Sequence, residues 1–289
     1  MTNAALPFGL RLETLQQGIK WAVYLLLAIN FVFYLQEDWH AMLNGMPANP
    51  TWLDWTGNFA TSLDVLAWLS LLILFEIETY VLTEESSVLV ARALHSVRLL
   101  CYLVLAHTLY SYLDNVAKIN EAVLMPEVSG LCQLADQGVS YLWNLVYTEV
   151  NSANCAALGQ GDQWYRIYNA TAVTDAAGLA RDLRLAHLDV IEVVSWLGIM
   201  AMLELDVRLQ ERGIVGGRIM LASRFVKISL YLVLIAESIY WITIGHRLYA
   251  WDEFLWIAGF AAIEMNMSEW RQELQEEPPG GTHTDGVRA

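Results

Sequence analysis

Charged residues, and bases in particular, are scarce in this sequence. Only 16% of its 289 residues are charged, and sixteen Lys and Arg stand against thirty-one Asp and Glu, which gives a formal net charge of −15. A soluble domain usually has about a quarter of its residues charged, and a nucleic-acid-binding protein needs a basic surface. The scarcity of charge therefore argues against a soluble domain, and the excess of acids argues against a nucleic-acid partner.

The signatures of common enzyme classes are also missing. There is no glycine-rich phosphate loop, no Gly-x-Ser-x-Gly, no His-Glu-x-x-His and no Cys-x-x-Cys. We expect no enzymatic activity, no cofactor and no bound metal. A membrane metalloenzyme would require the outer histidines and acids to converge within ligand distance. Prolines are absent from the long apolar stretches, so we expect no broken helices of the kind that form many transporter sites. The six prolines of the sequence are Pro7, Pro47, Pro50, Pro126, Pro278 and Pro279.

Long apolar runs are what the sequence does contain. Hydrophobic residues make up 56% of the chain, and the mean hydropathy is +0.38. A helix needs about twenty mostly apolar residues to cross the hydrocarbon core of a bilayer. The sequence therefore predicts an all-α integral membrane protein with six transmembrane helices, at about Gln17–Leu35, Leu63–Leu82, Leu94–Leu113, Leu188–Val207, Phe225–Ile244 and Asp252–Trp270.

The distribution of bases predicts the orientation of these spans. The first outer loop, 36–62, contains no Lys or Arg, and positive charge accumulates on the cytoplasmic side of membrane proteins. We expect a multi-pass protein of the inner or plasma membrane with both termini in the cytoplasm. That orientation puts eleven of the sixteen bases inside: Arg11, Lys20, Arg92, Arg98, Arg208, Arg212, Arg218, Arg224, Lys227, Arg271 and Arg288.

The chain divides into four predicted segments. Residues 1–112 contain spans one to three, 113–187 form an extracytoplasmic loop domain, 188–270 contain spans four to six, and 271–289 form a polar, disordered tail. Within the loop we expect a helix at 134–150 and a helical extension leading into span four. Cys132 and Cys155 both lie in this loop, where a disulfide could persist. Spacing alone leaves open whether they are bridged.

A threefold repeat relates the predicted spans. In the odd-numbered spans a base is followed by Tyr four residues later and by another aromatic residue fourteen residues later; these bases are Lys20, Arg98 and Lys227. In the even-numbered spans one acid near the inner end follows another by twelve residues, giving the pairs Asp64 and Glu76, Glu192 and Glu204, and Asp252 and Glu264. The pattern predicts three pseudo-repeated helical hairpins. Chance resemblance among apolar helices is the alternative. Mitochondrial carriers also consist of three hairpins, but their Pro-x-acid-x-x-base signature is absent here, so no family is identified.

Two interpretations exist for the inner acids, Glu76, Glu204 and Glu264. They lie at the same depth as the bases Lys20, Arg98 and Lys227. Acid–base pairs at that depth would hold the hairpins together, with the basic side chains reaching toward the interface. Alternatively, the three carboxylates would converge on an axis and line an ion or proton path. Ionisable groups inside a bilayer are costly enough that either role needs a partner or a function.

Glu237 is the strongest single functional candidate. It lies about ten residues into span five, near the bilayer centre, whereas its repeat counterparts Asn30 and Thr108 are neutral. His107 lies at a similar depth, so a Glu237–His107 proton relay is one hypothesis. A protonated Glu237 hydrogen-bonded to a neighbouring helix is the structural alternative. Glu192, in the outer acid register, is also a candidate.

The sequence supports two functions. One is the movement of protons or small cations through a polar bundle interior, and the other is that of an accessory or scaffold subunit of a larger membrane complex. In both, the partner is the lipid bilayer. A protein partner would bind the extracytoplasmic loop in the second case, and a homo-oligomer is compatible with either.

Overall fold

A computed structural model describes residues 12–47, 49–77, 88–159, 161–168, 171–214 and 216–260. The chain is mostly helical. It divides into two compact units at Ile191 and Glu192. Each unit is described by itself below.

Three long helices belong to the N-terminal unit: α1 (Leu12–Gly45), α3 (Ala60–Glu76) and α4 (Val88–Asn120). Helix α3 packs against both α1 and α4. A short helix, α2 (Trp52–Asn58), precedes α3 and is bent from it by 68°. The side chains of Thr51 and Asp54 each cap the other's backbone N–H at the start of α2, which is the capping box that stabilises helix N-termini.

A small, mostly antiparallel sheet follows α4. Its strands are β1 (Val123–Leu124), β2 (Ser140–Trp143), β3 (Val146–Glu149), β4 (Trp164–Arg166) and β5 (Ala172–Asp175), in the order β1-β4-β5-β2-β3. The four-residue helix α5 (Cys155–Leu158) lies between β3 and β4. Leu131, Tyr141 and Trp164 belong to the buried core of this region. We refer to residues 123–175 as the sheet domain.

The helix predicted at 134–150 is wrong. These residues form the β2–β3 hairpin, in which Trp143 pairs with Val146 across a two-residue turn. The turn residues Asn144 and Leu145 both have positive φ, 55° and 65°, as a type I′ hairpin turn requires. The segment is apolar enough for a helix, but its alternating side chains and the Asn at the tip favour a hairpin. The loop is therefore mainly a sheet, with short helical turns at 131–134 and 155–158.

A disulfide joins Cys132 and Cys155, whose Cα atoms lie 4.9 Å apart. The two cysteines lie on either side of the β2–β3 hairpin in the sequence, so the bond closes a loop around that hairpin. Cys101 is a buried free cysteine on α4.

The sheet domain leads into α6 (Ala176–Glu211), which begins twelve residues before the predicted fourth span, as the expected helical extension required. The C-terminal unit contains residues 192–211 of α6, then α7 (Arg218–Thr243) and a helix at 247–260 that we call α8. Gly198 allows α6 and α7 to approach closely, because a Cβ there would lie 2.9 Å from Leu230 Cδ1. Gly245, at φ +96°, reverses the chain between α7 and α8.

Two helices in the described part of the chain, α4 and α7, are each long and apolar enough to cross a membrane. Helices α2 and α3 together would make a third, bent span. Most of the apolar side chains of α4 and α7 are exposed in the protein, and exposed apolar surfaces of this size need a cover of lipid or protein. The chain therefore has the features of a membrane protein. Residues 261–289, with the end of the predicted sixth span and the tail, lie outside the described residues.

Candidate functional site

The charged side chains of Lys20 and Glu76 join α1 to α3. Lys20 Nζ of α1 lies 2.6 Å from Glu76 Oε2 of α3, and the hydroxyl of Tyr24 donates a hydrogen bond of 2.7 Å to the other oxygen of Glu76. Tyr24 is one helical turn from Lys20, so both side chains are on the same face of α1. The carboxylate of Glu76 is thus held at both oxygens, which favours the structural interpretation of this acid.

The C-terminal unit has a similar contact with a different acid. Lys227 Nζ of α7 lies 3.0 Å from Asp206 Oδ2 of α6, with both side chains nearly fully buried. Glu204, the acid of α6 that the sequence pattern singled out, is about half exposed and binds Arg208 on its own helix. Asp206 is two residues further along α6 and therefore on nearly the opposite face. Arg98 lies on α4, and Glu264 lies outside the described residues.

A second contact of the N-terminal unit joins α3 to α4. Asp64 of α3 accepts a 2.7 Å hydrogen bond from Thr108 of α4 and a 3.1 Å hydrogen bond from the indole N–H of Trp68. Thr108 is fully buried. The carboxylate is stabilised by two neutral donors, which is a structural arrangement for a partly buried acid.

Four carboxyl groups of the C-terminal unit lie close enough to interact with one another. Glu253 of α8 is hydrogen-bonded to the side chains of Glu192 and Trp196 of α6, and Glu237 of α7 and Asp252 of α8 lie close enough to interact with it electrostatically. Glu253, Glu237 and Asp252 are 4–6% exposed, whereas Glu192 is half-buried. We call these four acids the carboxyl cluster.

Aromatic packing positions the cluster. Glu192 and Trp196 are one turn apart on α6, and the ring of Trp196 lies 5.0 Å from that of Phe260 on α8. Phe260 follows Glu253 by two turns, so the acid and the ring share a face of α8. The same helix-to-helix contact that buries the aromatic rings therefore brings the two carboxyl groups together.

Sequence reasoning identified Glu192 and Glu237 but missed Glu253. The pattern that could have found this region is an acid followed four residues later by Trp, which occurs in all three even-numbered spans: Asp64 and Trp68, Glu192 and Trp196, and Asp252 and Trp256. All three tryptophans are buried. A buried indole N–H needs an acceptor, and an acid one turn away, or one on a neighbouring helix, provides it.

The suggested relay partner of Glu237 lies in the other unit. His107 is on α4, and its ring centroid lies 6.3 Å from that of Tyr110. A Glu237–His107 relay therefore stays a prediction. Among the described residues, no group of three or more His, Cys, Asp or Glu side chains is arranged to hold a metal ion.

A scan against protein-family models and searches of curated proteins and of solved structures found no match for this chain.

Proposed function

We propose that the chain is a six-span membrane protein, with both termini in the cytoplasm, that moves protons through the polar interior of its C-terminal helices. The hydrogen bond between Glu192 and Glu253 carries this proposal. Two carboxyl groups form such a bond only when one of them holds a proton. The neighbouring carboxyl groups of Glu237 and Asp252 disfavour a second negative charge at the pair. The pair is thus suited to accept and release one proton at a time.

Accessibility supports a direction of transfer within the pair. Glu192 is half-buried, whereas Glu253 is 4% exposed. A proton would reach Glu192 first and pass to Glu253 along the existing hydrogen bond. Protons suit this site better than small cations, because a cation would compete with the proton that joins the two groups.

The proposed repeat gives a second line of support. The three positions in one register of the odd-numbered spans, Asn30, Thr108 and Glu237, are all buried. In the N-terminal unit Thr108 donates to Asp64. The same register makes Glu237 the counterpart of Thr108 and Glu192 the counterpart of Asp64. A neutral donor is thereby replaced with a second acid, which adds an ionisable group at the position where the α3–α4 contact has a hydroxyl.

Proton flux tests the proposal. The protein is reconstituted in liposomes containing a pH-sensitive dye, and a pH gradient is imposed together with an ionophore that dissipates the membrane potential. We expect wild type to conduct, and E192Q and E253Q to fall to the rate of protein-free liposomes. The matched control is E204Q, which removes an exposed acid of the same helix. Equal flux in wild type and E253Q, or no flux in folded wild type, would overturn the proposal.

An accessory or scaffold role is the second candidate. The Lys20–Glu76 and Lys227–Asp206 contacts favour it, because both tie helices together without leaving a carboxylate for transport. The disulfide-closed sheet domain offers a surface for a protein partner. Purification in mild detergent, followed by identification of co-purifying proteins and measurement of oligomeric state, tests this role. Stoichiometric recovery of one membrane partner, together with absent flux, would favour it.

A further inference from the structure

Asp182 is a buried acid of the N-terminal unit that the sequence patterns did not single out. It lies on the second turn of α6 and is 1% exposed, and neither of its carboxylate oxygens has a hydrogen-bond partner of ordinary geometry. Burying a carboxylate without such partners is costly when it is ionised. The position therefore favours the neutral acid.

The tip of the β2–β3 hairpin lies against this acid. The backbone amides of Leu145 and Asn144 face the carboxyl group. Both turn residues have left-handed backbone conformations, which Asn tolerates but which strains a bulky residue such as Leu145. The turn is therefore a weak point that depends on its contacts with α6.

One contact holds the tip from the side. Arg181 Nη1 donates a 3.1 Å hydrogen bond to Asn144 Oδ1, and the guanidinium lies 4.9 Å from the ring centroid of Trp143. Arg181 is adjacent to Asp182 in sequence. Helix α6 therefore contacts the hairpin tip at two points, the side chain of Arg181 and the carboxyl group of Asp182.

Charged and titratable groups from each neighbouring element surround Asp182. Burial raises its pKa to about 7, and the amides of Leu145 and Asn144 and the Arg181 guanidinium oppose that rise, whereas Asp175 at the end of β5 adds to it. Three tyrosines interact with it electrostatically, one each from β2, β3 and the segment after β4: Tyr141, Tyr147 and Tyr168. The net balance favours a proton on Asp182 in the closed hairpin.

We propose that Asp182 is a proton-binding site on α6 that controls the attachment of the β2–β3 hairpin tip to this helix. The neutral acid packs beneath the turn, and loss of its proton places a charge there whose burial outweighs its favourable contacts, which favours opening of the tip. Because the Cys132–Cys155 disulfide closes the chain on both sides of the hairpin, the opening is confined to the tip and its strands. This site is separate from the carboxyl cluster and does not depend on its function.

Hydrogen–deuterium exchange of the full-length protein in lipid nanodiscs tests this site. Between about pH 4 and 7 the closed hairpin holds a proton on Asp182 that the open hairpin releases, so protection factors of the β2–β3 amides should fall by up to about tenfold per pH unit after correction for intrinsic exchange, and they should level off above about pH 7. In D182N the protection factors should not depend on pH. The matched control E149Q removes an exposed acid of the same hairpin and should behave like wild type.

A second variant keeps the test informative if D182N does not fold. L145G relieves the left-handed strain at the tip, so it should raise protection at every pH and leave the pH slope unchanged. Protection that is constant with pH in wild type, or an equal slope in wild type and D182N, would overturn the proposal. A slope that extends equally to β4 would also contradict it, because the opening would not be confined to the hairpin.

Discussion

Lys227 Nζ lies 3.0 Å from Asp206 Oδ2, and the two side chains are only 7% and 3% exposed. The pair joins α7 to α6 within the C-terminal unit. Both charges are shielded from solvent, so the contact between them stabilises each in its charged form. Losing one partner of a buried pair costs more than the pair contributes, because the remaining charge is left uncompensated.

We therefore expect K227M to lower the free energy of unfolding by about 3–5 kcal/mol. The double variant K227M/D206L should recover most of that loss, since two apolar residues of similar size can replace a buried pair. Thermal or denaturant unfolding in detergent, compared across the double-mutant cycle, measures the coupling. R208Q, which breaks an exposed pair, is the control and should cost less than about 1 kcal/mol. A double variant as unstable as K227M would contradict this interpretation of the pair.

The disulfide should stabilise the sheet domain locally. Cys132 and Cys155 are separated by 23 residues, and closing a loop of that size is worth about 3 kcal/mol in the chain-entropy model. C132S/C155S should therefore increase proteolysis and deuterium uptake within 132–155, and reducing agent should do the same to wild type. C101S, which removes the free cysteine of α4, should change neither. Unchanged protection of the hairpin after the bond is broken would show that the strands alone hold it.

Asp38 should make stability depend on pH. This acid of α1 accepts hydrogen bonds of 2.9 and 2.6 Å from the backbone N–H and the hydroxyl of Ser62. Burial raises its pKa from 3.8 to about 6, although both hydrogen bonds oppose the rise. A raised pKa in the folded state means that the neutral acid stabilises the fold, and this contribution is lost as the pH rises from about 4 through 6. One pKa unit corresponds to about 1.4 kcal/mol, so the loss is about 3 kcal/mol at most.

D38N keeps an acceptor for Ser62 but cannot ionise. The difference in unfolding midpoint between wild type and D38N should therefore change between about pH 4 and 7, with wild type losing stability relative to the variant. E37Q changes the neighbouring exposed acid and should retain most of the wild-type pH dependence. A constant difference between wild type and D38N over this range would show that Asp38 does not titrate there.

Much of the helical architecture could be predicted from the sequence, because long apolar runs leave few alternatives to helices. The runs around α1, α4, α6 and α7 are all helical. The β2–β3 hairpin could not be recognised as easily. The apolar residues of 134–150 fit the spacing of a helix as well as the alternation of a strand, and only Asn144 marks the turn. Local sequence cannot distinguish these patterns when the segment is short.

The candidate site was predicted in part for a related reason. Aligning the predicted spans by residue spacing was enough to single out Glu192 and Glu237, because this comparison needs no knowledge of how the helices pack. It could not identify Glu253, whose importance arises from the packing of α8 against α6. Similarly, the spacing placed Lys227 at the depth of the inner acids without showing which acid it contacts, because spacing does not specify which face of α6 meets α7. The buried contact with Asp206 decides that question.

The measurement that tests the central claim most directly is infrared spectroscopy of the proton between Glu192 and Glu253. The spectrum of E253Q is subtracted from that of wild type near neutral pH in nanodiscs, first in H2O and then in D2O, so that other carboxyl groups cancel. We predict a C=O band of a protonated carboxylic acid in the difference spectrum, shifted in D2O because water reaches the pair through Glu192. Absence of the band, or a band that never shifts, would contradict a proton-conducting site.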